Sequence, residues 1–459
     1  MVVIGGGPAG YAAALRGGLA GLNIAVVESY KVGGTCLHRG CIPAKEILET
    51  AAVLRTVAGA KEFGISVDQP LLDFAQSQAR KRKVVDQLWK GLQGLMKRRK
   101  VTTIEGTGSL FADHLVRVDD GTELYGKHVI LATGSVPRTI PGFEVDGRLV
   151  LTSDEILELE RVPRSVAVIG AGAVGCEFAS ALADLGSQVT LLEALPKVLP
   201  GCDSDVADVL VRAFKKRGIT VKTGAMVAGH EPAPDGASTV LQLGDGSSLP
   251  VEAVAICVGR RPLSEHLGLD GTAVEVDKRG FVVVDELMRT GEPGVFAGGD
   301  LVDTPALAHV GFAEGMLAID QILGERAIPV DYGKVPWCIY THPEVAFAGM
   351  TEEAARAAGL DVITKKDPYG GNGRALIVGE PEGVVKVVAE RLADGRAGRV
   401  LGVHMAGPWV TEQLGQAYLS VNWEATPGEI AQYVQPHPTL SEAFSETMLA
   451  LSGRGLHVG

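Results

Sequence analysis

Met1-Val-Val-Ile-Gly-Gly-Gly-Pro-Ala-Gly10 and Val166-Ala-Val-Ile-Gly-Ala-Gly-Ala-Val-Gly175 are two versions of one pattern, offset by 166 − 1 = 165 residues. Each is a short apolar strand, a Gly-x-Gly-x-x-Gly turn and the start of a helix. The helical stretches, Pro8 to Ala20 and Ala173 to Leu185, close at Gly21 and Gly186. The next apolar strands begin at Asn23 and Gln188 and end in Glu28 and Glu193, each 23 residues after the first glycine of its own copy. In such a unit the first glycine (Gly5, Gly170) makes the tight turn and the second (Gly7, Gly172) lets backbone approach a pyrophosphate. The third (Gly10, Gly175) lets helix pack on strand, and the helix N-terminus offers unpaired N–H groups to the anion. A glycine-rich turn without function is the bland alternative, and repetition of strand, helix and acid spacing weighs against it. The acid can accept hydrogen bonds from both ribose hydroxyls, so Glu193 favours NAD over NADP.

The repeat resumes further on. Val129-Ile-Leu-Ala-Thr-Gly-Ser-Val-Pro137 matches Val254-Ala-Ile-Cys-Val-Gly-Arg-Arg-Pro262 at an offset of 254 − 129 = 125, so the first copy holds 165 − 125 = 40 additional residues. They fall between Glu28 and Val129, an interval with an amphipathic helix around residues 76 to 100. Val84, Leu88, Leu92 and Leu95 recur there between the basic runs Arg80–Lys83 and Lys97–Lys100. Such runs are ordinarily solvated faces.

The length of 459 residues allows roughly three domains. Apolar residues at 46% and charged residues at 21% fit a folded globular chain. The net charge, 43 − 55 = −12, argues against nucleic acid and anionic membranes as partners. No signal peptide or membrane span is read, and a cytoplasmic location is expected. The six cysteines are too sparse for a disulfide scaffold.

Only Cys36 and Cys41 are close together, in Gly33-Gly-Thr-Cys-Leu-His-Arg-Gly-Cys-Ile-Pro-Ala-Lys45. A pair near helix N-termini can act as a reversible two-electron store. Two buried thiols or half of a zinc site are the other readings; no second cysteine pair supports zinc, and no metal is expected. Near the end stands His437-Pro-Thr-Leu-Ser-Glu442. A histidine so placed is usually a surface residue, but a carboxylate five positions on would fix its tautomer and raise its basicity.

Taken together with Ala132-Thr-Gly134, Val258-Gly-Arg-Arg-Pro262, Arg289-Thr-Gly-Glu-Pro-Gly-Val-Phe-Ala-Gly-Gly-Asp300 and Tyr340-Thr-His-Pro-Glu344, these motifs resemble the pyridine nucleotide–disulfide oxidoreductases over essentially the whole chain. Within that family they are most similar to the branch that oxidises protein-bound dihydrolipoamide. The resemblance implies an α/β fold with two Rossmann-like domains and a C-terminal α+β dimerisation domain. Residues 1–142 and 263–330 would bind FAD, 143–262 NAD, and 331–459 a second copy. It implies tightly held, non-covalent FAD on Gly5, Gly7, Pro8, Gly10 and Glu28, on Gly34, Thr35 and Lys45, on Ala132, Thr133 and Gly134, and on Gly299, Asp300 and Ala308. NAD would lie on Gly170, Gly172, Val174, Gly175, Glu177 and Glu193, with Val258 and Gly259.

By the same resemblance Cys36 exchanges with the substrate dithiol and Cys41 faces the flavin. Lys45 stands near the flavin with Glu177 as its ion-pair partner, a pair that could equally be a structural salt bridge. His437, held by Glu442, acts on the disulfide of the other subunit of a homodimer. A lipoyl-bearing acyltransferase of a 2-oxo acid dehydrogenase complex, or a lipoyl carrier protein, would bring the substrate. Departures from the branch are His38 and Arg39, two potentially cationic groups beside the disulfide, then Ala44, Val310 and Gly311. They leave open an NAD(P)H-dependent reductase of another disulfide, and a catalytically silent flavin-binding subunit is the third reading. Exchanging Glu193 for arginine should move nucleotide preference toward NADP by about tenfold or more in kcat/KM. An unchanged ratio would place the selection elsewhere.

Overall fold

Val2–Ile4 pairs in parallel with Ala25–Glu28 on one side and Val129–Leu131 on the other, and Ser165–Ile169 pairs likewise with Gln188–Glu193 and Ala253–Ile256. Val2 faces Ala25 and Val129, whereas Ala167 faces Thr190 and Val254. The registers therefore repeat the sequence offsets, 167 − 2 = 190 − 25 = 165 and 254 − 129 = 125. These strands are apolar along their length because helices or hairpins cover both faces of a parallel sheet. The computed structural model describes residues 1–457; Val458 and Gly459, which end the expected third unit, lie outside the described residues.

Each parallel sheet has five strands. The first is completed by Thr102–Glu105 and by Val295–Ala297, a strand that comes after the whole second sheet in sequence. The helix Ala308–Leu323 returns with it and crosses Pro8–Leu19. Gly311 and Gly315 make that crossing close: a Cβ on Gly315 would strike the main chain of Ala9, and one on Gly311 would sit 3.4 Å from the Ala9 nitrogen. Gly311 thus has a packing reason where Val310 is simply core, 2% exposed.

The additional residues of the first copy form the helices Gly34–Arg39, Cys41–Gly59 and Phe74–Arg98. Asp73 caps the last of these by accepting from the Gln76 amide at 3.0 Å. Its buried face differs from the apolar stripe expected. Leu88 is 44% exposed, while Lys81 is 2% exposed within what reads as a solvated basic run. The Lys81 ammonium donates to the Leu157 carbonyl and to Glu158 Oε1 (2.6 Å), satisfying the C-terminus of the helix Ser153–Leu157. Cys41–Gly59 lies on Ala173–Asp184, placing Ile47 and Ala51 in the core of the second unit and pairing Arg55 with Asp184.

The C-terminal stretch is a five-stranded antiparallel sheet, ordered Trp337–Ile339, Glu344–Gly349, Ala397–Gly407, Val384–Arg391 and Val362–Pro368, with helices Val410–Asn422 and Glu442–Leu451 on it. Its strands Trp337–Ile339, Glu344–Gly349 and Ala397–Gly407 also enter the core of the second nucleotide unit through Ile339, Phe347 and Ala406. Beside that core Lys386, 4% exposed, reaches Asp203 Oδ1 (2.9 Å), Asp205 Oδ2 (2.8 Å) and Glu352 Oε2 (2.8 Å). Among the described residues no helix is long and apolar enough to cross a membrane.

Removing one partner of a buried ion cluster leaves the others uncompensated. Lys386→Met should therefore lower the unfolding free energy by about 3–5 kcal/mol, measured by denaturant titration of the purified protein.

Candidate active site

Both glycine turns close in the same way. Gly5 and Gly170 have φ of +101° and +100°, and a Cβ on either would collide with the carbonyl of Ala132 or Cys257. A Cβ on Gly10 or Gly175 would collide with the carbonyl of Gly5 or Gly170. The carboxylates echo one another as well. Glu28 accepts from the amides of Gly6 (2.7 Å) and Tyr30 (2.9 Å), and Glu193 from those of Ala171 (2.6 Å) and Leu195 (2.9 Å). Each oxygen keeps lone-pair capacity for a ribose hydroxyl.

Neither following helix has a side-chain N-cap: Gly7 precedes Pro8–Leu19 and Gly172 precedes Ala173–Asp184. Their first amides remain available to an anion. A cavity of about 540 Å³ opens beside Glu28 along Tyr30, Lys31, Val32 and Trp89, room for the adenosine end of a dinucleotide. The residues present fit FAD in the first cradle and a second dinucleotide in the other. Pro8 opens the first helix, and Val174, 42% exposed, stands on the outer side of the second.

The redox segment lies directly on the first cradle. The Gly33 amide donates to the Gly6 carbonyl at 2.7 Å, and Gly34, with φ of +57°, meets Gly7 so closely that a Cβ would strike its Cα. Thr35 and Cys36 follow in the first turn of Gly34–Arg39, and Cys41 begins Cys41–Gly59. Cys36 and Cys41 are joined as a disulfide with their Cα atoms 4.6 Å apart. A helix N-terminus beneath Cys41 favours its thiolate once the bond is opened.

One turn after Cys41, Lys45 Nζ donates to both oxygens of Glu177 (2.9 and 2.8 Å), which lies in the first turns of the second nucleotide helix. Asp300 accepts from Ser135 Oγ at 2.6 Å, and Arg260 Nε donates to that hydroxyl at 2.7 Å. Beside them, Thr133 Oγ1 donates to the Leu263 carbonyl (2.7 Å), the Gly134 carbonyl accepts from Leu263 N–H (2.8 Å), and the Gly259 carbonyl accepts from Arg138 N–H (2.9 Å). These bonds stitch the Ala132–Gly134 and Val258–Gly259 turns together. Gly299 donates its amide to Glu314 (2.6 Å), a fully buried carboxyl raised above its usual range by burial and also bonded by the Tyr332 hydroxyl (2.9 Å). Ala308 begins the helix that carries Glu314.

Of the two potentially cationic groups beside the disulfide, His38 is partly buried. Its Nε2 faces the Val32 carbonyl at 3.0 Å, and its ring meets Tyr30 and Trp89 edge-on. Burial pushes its pKa down, which favours the neutral ring. Arg39 is exposed, its guanidinium 5.5 Å from the Tyr30 ring centroid.

His437 Nδ1 lies 2.7 Å from Glu442 Oε1, and Glu442 Oε2 accepts from the Thr439 amide at 2.7 Å. Burial raises the Glu442 pKa, but the Thr439 amide and His437 outweigh it and hold the carboxyl below its usual value. The imidazole is 78% exposed, and among the described residues no hydrogen bond joins it to the disulfide segment of the same chain.

The other cysteines are set apart by burial. Cys176 donates to the Ala171 carbonyl (3.4 Å) with its pKa pushed far up, Cys257 is raised to about 12 and Cys338 to about 11, and Cys202 is raised strongly. Sequence reading passed over Glu314 and Tyr332, and quoted Ser135, Arg260 and Tyr340 within motifs without assigning them a role. Their partners are 125 or more residues away for Arg260 and Tyr340, and no local spacing announces them.

Two nucleotide cradles around one redox disulfide define a class, and the chain belongs to the pyridine nucleotide-disulphide oxidoreductase family: that family's model matches residues 1–315, and its dimerisation domain matches residues 335–448. Membership implies FAD and a pyridine nucleotide, and the matched dimerisation domain supports a homodimer. Relatives over the full chain include the dihydrolipoyl dehydrogenase of Bacillus subtilis, 40% identical over 100% of this chain and 98% of that protein. The dihydrolipoyl dehydrogenase of Thermus scotoductus is 39% identical with the same coverage. Among solved structures, LpdA from Mycobacterium tuberculosis superposes with a TM-score of 0.91 at 27% identity, covering 98% of this chain and 99% of that one.

The raised thiols are protonated at neutral pH. After reduction by one equivalent of a dithiol, iodoacetamide at pH 7.5 should label Cys36 and Cys41 and leave Cys176, Cys202 and Cys257 unmodified by peptide mass spectrometry.

Proposed function

We propose that the chain is a dihydrolipoyl dehydrogenase, which oxidises protein-bound dihydrolipoamide and reduces NAD. The observation that carries this is the Cys36–Cys41 disulfide seated on the first cradle and ion-paired through Lys45 to the helix of the second. Full-length relatives bearing that activity in their names support it. We assign residues 1–142 and 263–330 to FAD, 143–262 to NAD and 331–459 to the dimer contact, and the roles that follow belong to the same reading.

One thiol of the substrate gives its proton to Nε2 of His437, supplied by a second copy of the chain. Glu442, bonded to Nδ1, fixes the tautomer that leaves Nε2 as acceptor and steadies the imidazolium. The substrate thiolate attacks Cys36 Sγ, forming a mixed disulfide as the Cys36–Cys41 bond breaks and Cys41 leaves as a thiolate at its helix N-terminus. The second substrate thiol then displaces Cys36, closing the cyclic product disulfide and leaving both enzyme cysteines reduced. FAD, when bound, supplies the two-electron relay from this dithiol to NAD. The balance is dihydrolipoamide + NAD⁺ → lipoamide + NADH + H⁺.

Glu28 and Glu193 would orient the two riboses, the unpaired helix amides would hold the pyrophosphates, and Asp300, bonded by Ser135, would take the ribityl chain. Burial that favours a neutral His38, with Nε2 on the Val32 carbonyl, weakens one of the two charges that would argue for another disulfide substrate. A lipoyl-bearing acyltransferase or carrier protein in the cytoplasm completes the proposal.

The test is anaerobic mixing of the FAD-loaded protein with dihydrolipoamide, then NAD, following NADH. NADH formation is expected, and its absence would overturn the substrate. His437→Gln should lower kcat with dihydrolipoamide by roughly 10²–10⁴-fold while the FAD content stays that of the parent.

A further inference from the structure

We propose that Tyr340 is a positioning residue, whose main-chain amide and aromatic ring together fix the Lys45 ammonium beside the redox segment. This rests on the reading of Lys45 as a group acting at the flavin and deepens it.

A lysine ammonium on four flexible methylenes is a poor fixed charge unless several sides are closed. Glu177 closes one, bonding Nζ through both oxygens at 2.9 and 2.8 Å. Glu177 in turn needs a brace, and Tyr340 N–H donates to its Oε1 at 3.0 Å. The same residue closes a second side, because Lys45 Nζ lies 5.0 Å from the Tyr340 ring centroid, inside the ~6 Å range of cation–π attraction. The Lys45 side chain is 35% exposed, so these contacts decide between a held ammonium and one shared with solvent.

Tyr340 is itself anchored. It follows the strand Trp337–Ile339 of the C-terminal sheet, and its phenol lies near Thr411 and Glu344. Thr411 Oγ1 donates to Glu344 Oε2 at 2.7 Å. Burial first, then Cys338 and Glu344, raise the pKa of the phenol, which stays neutral and leaves the ring face as its attraction for the ammonium. One residue of the C-terminal sheet thus sets a charge between the two nucleotide units. An aromatic residue packed there for volume alone would not require the ring face toward Nζ, and that difference is measurable.

The experiment uses FAD-loaded holoenzyme carrying Tyr340→Phe, Tyr340→Leu, Tyr340→Met or Lys45→Met, together with pentafluorophenylalanine in place of Tyr340. The last keeps the ring's shape and reverses its quadrupole. Two readouts are the midpoint potential of the flavin by dye-coupled titration and the rate of Lys45 acylation by acetic anhydride, read by peptide mass spectrometry. Tyr340→Phe should match the parent in both. The leucine, methionine and fluorinated variants should acylate Lys45 roughly two- to fivefold faster and move the potential in the negative direction, as Lys45→Met does, by less. If Tyr340→Leu fails to fold, the methionine and fluorinated variants carry the same comparison. Parent-like acylation and potential in the fluorinated and methionine variants, with a shift in Lys45→Met, would overturn the role of Tyr340 and leave that of Lys45 standing. No shift in Lys45→Met would overturn both.

Discussion

No side chain fits at Gly10 or Gly175, because each lies against the carbonyl of the glycine five residues before it. That contact brings the helix N-terminus onto the strand end and leaves its first amides open to an anion. The Gly33–Gly34 turn is then laid on Gly6 and Gly7, so the disulfide that follows has its position set by the same glycine cradle. Bulk at any of these points would separate the redox pair from the nucleotide it serves.

The two strand–turn–helix units, the extra residues of the first copy and the redox pair were all legible, because each is written in short-range spacing or in a repeat. The offsets 165 and 125 reappear as strand registers since a parallel pair must match its hydrogen bonds along the whole strand. What was hidden depends on segments far apart in the chain. His38 reads as a potentially cationic group beside the cysteines, and its contacts with Tyr30, Val32 and Trp89 appear only in the fold. Lys81 reads as part of a solvated run until the unpaired carbonyl at Leu157 arrives beneath it. The Tyr340 amide on Glu177 spans 163 residues and has no local signature.

Polar bonds stand beside the shared apolar interior at the seams between units. Arg217 donates to the Ser180 hydroxyl and carbonyl, to Asp184 and to the His342 carbonyl, and Lys386 gathers three carboxylates. Such bonds accept only one arrangement of the partners, whereas apolar contacts tolerate sliding. Distances as short as those between Lys45, Glu177 and Tyr340 require that kind of exact seating.

The apolar core of the second nucleotide unit runs without a break into Ile339, Phe347 and Ala406 of the C-terminal sheet and into Ile47 and Ala51 of the redox helix. Swinging that unit as a rigid lever would expose this shared interior and break the buried lysine cluster together. Rigid opening of that unit is thus opposed by the loss of buried apolar area and of a buried ion cluster in a single step. Three parts of the chain share one continuous interior beneath the disulfide.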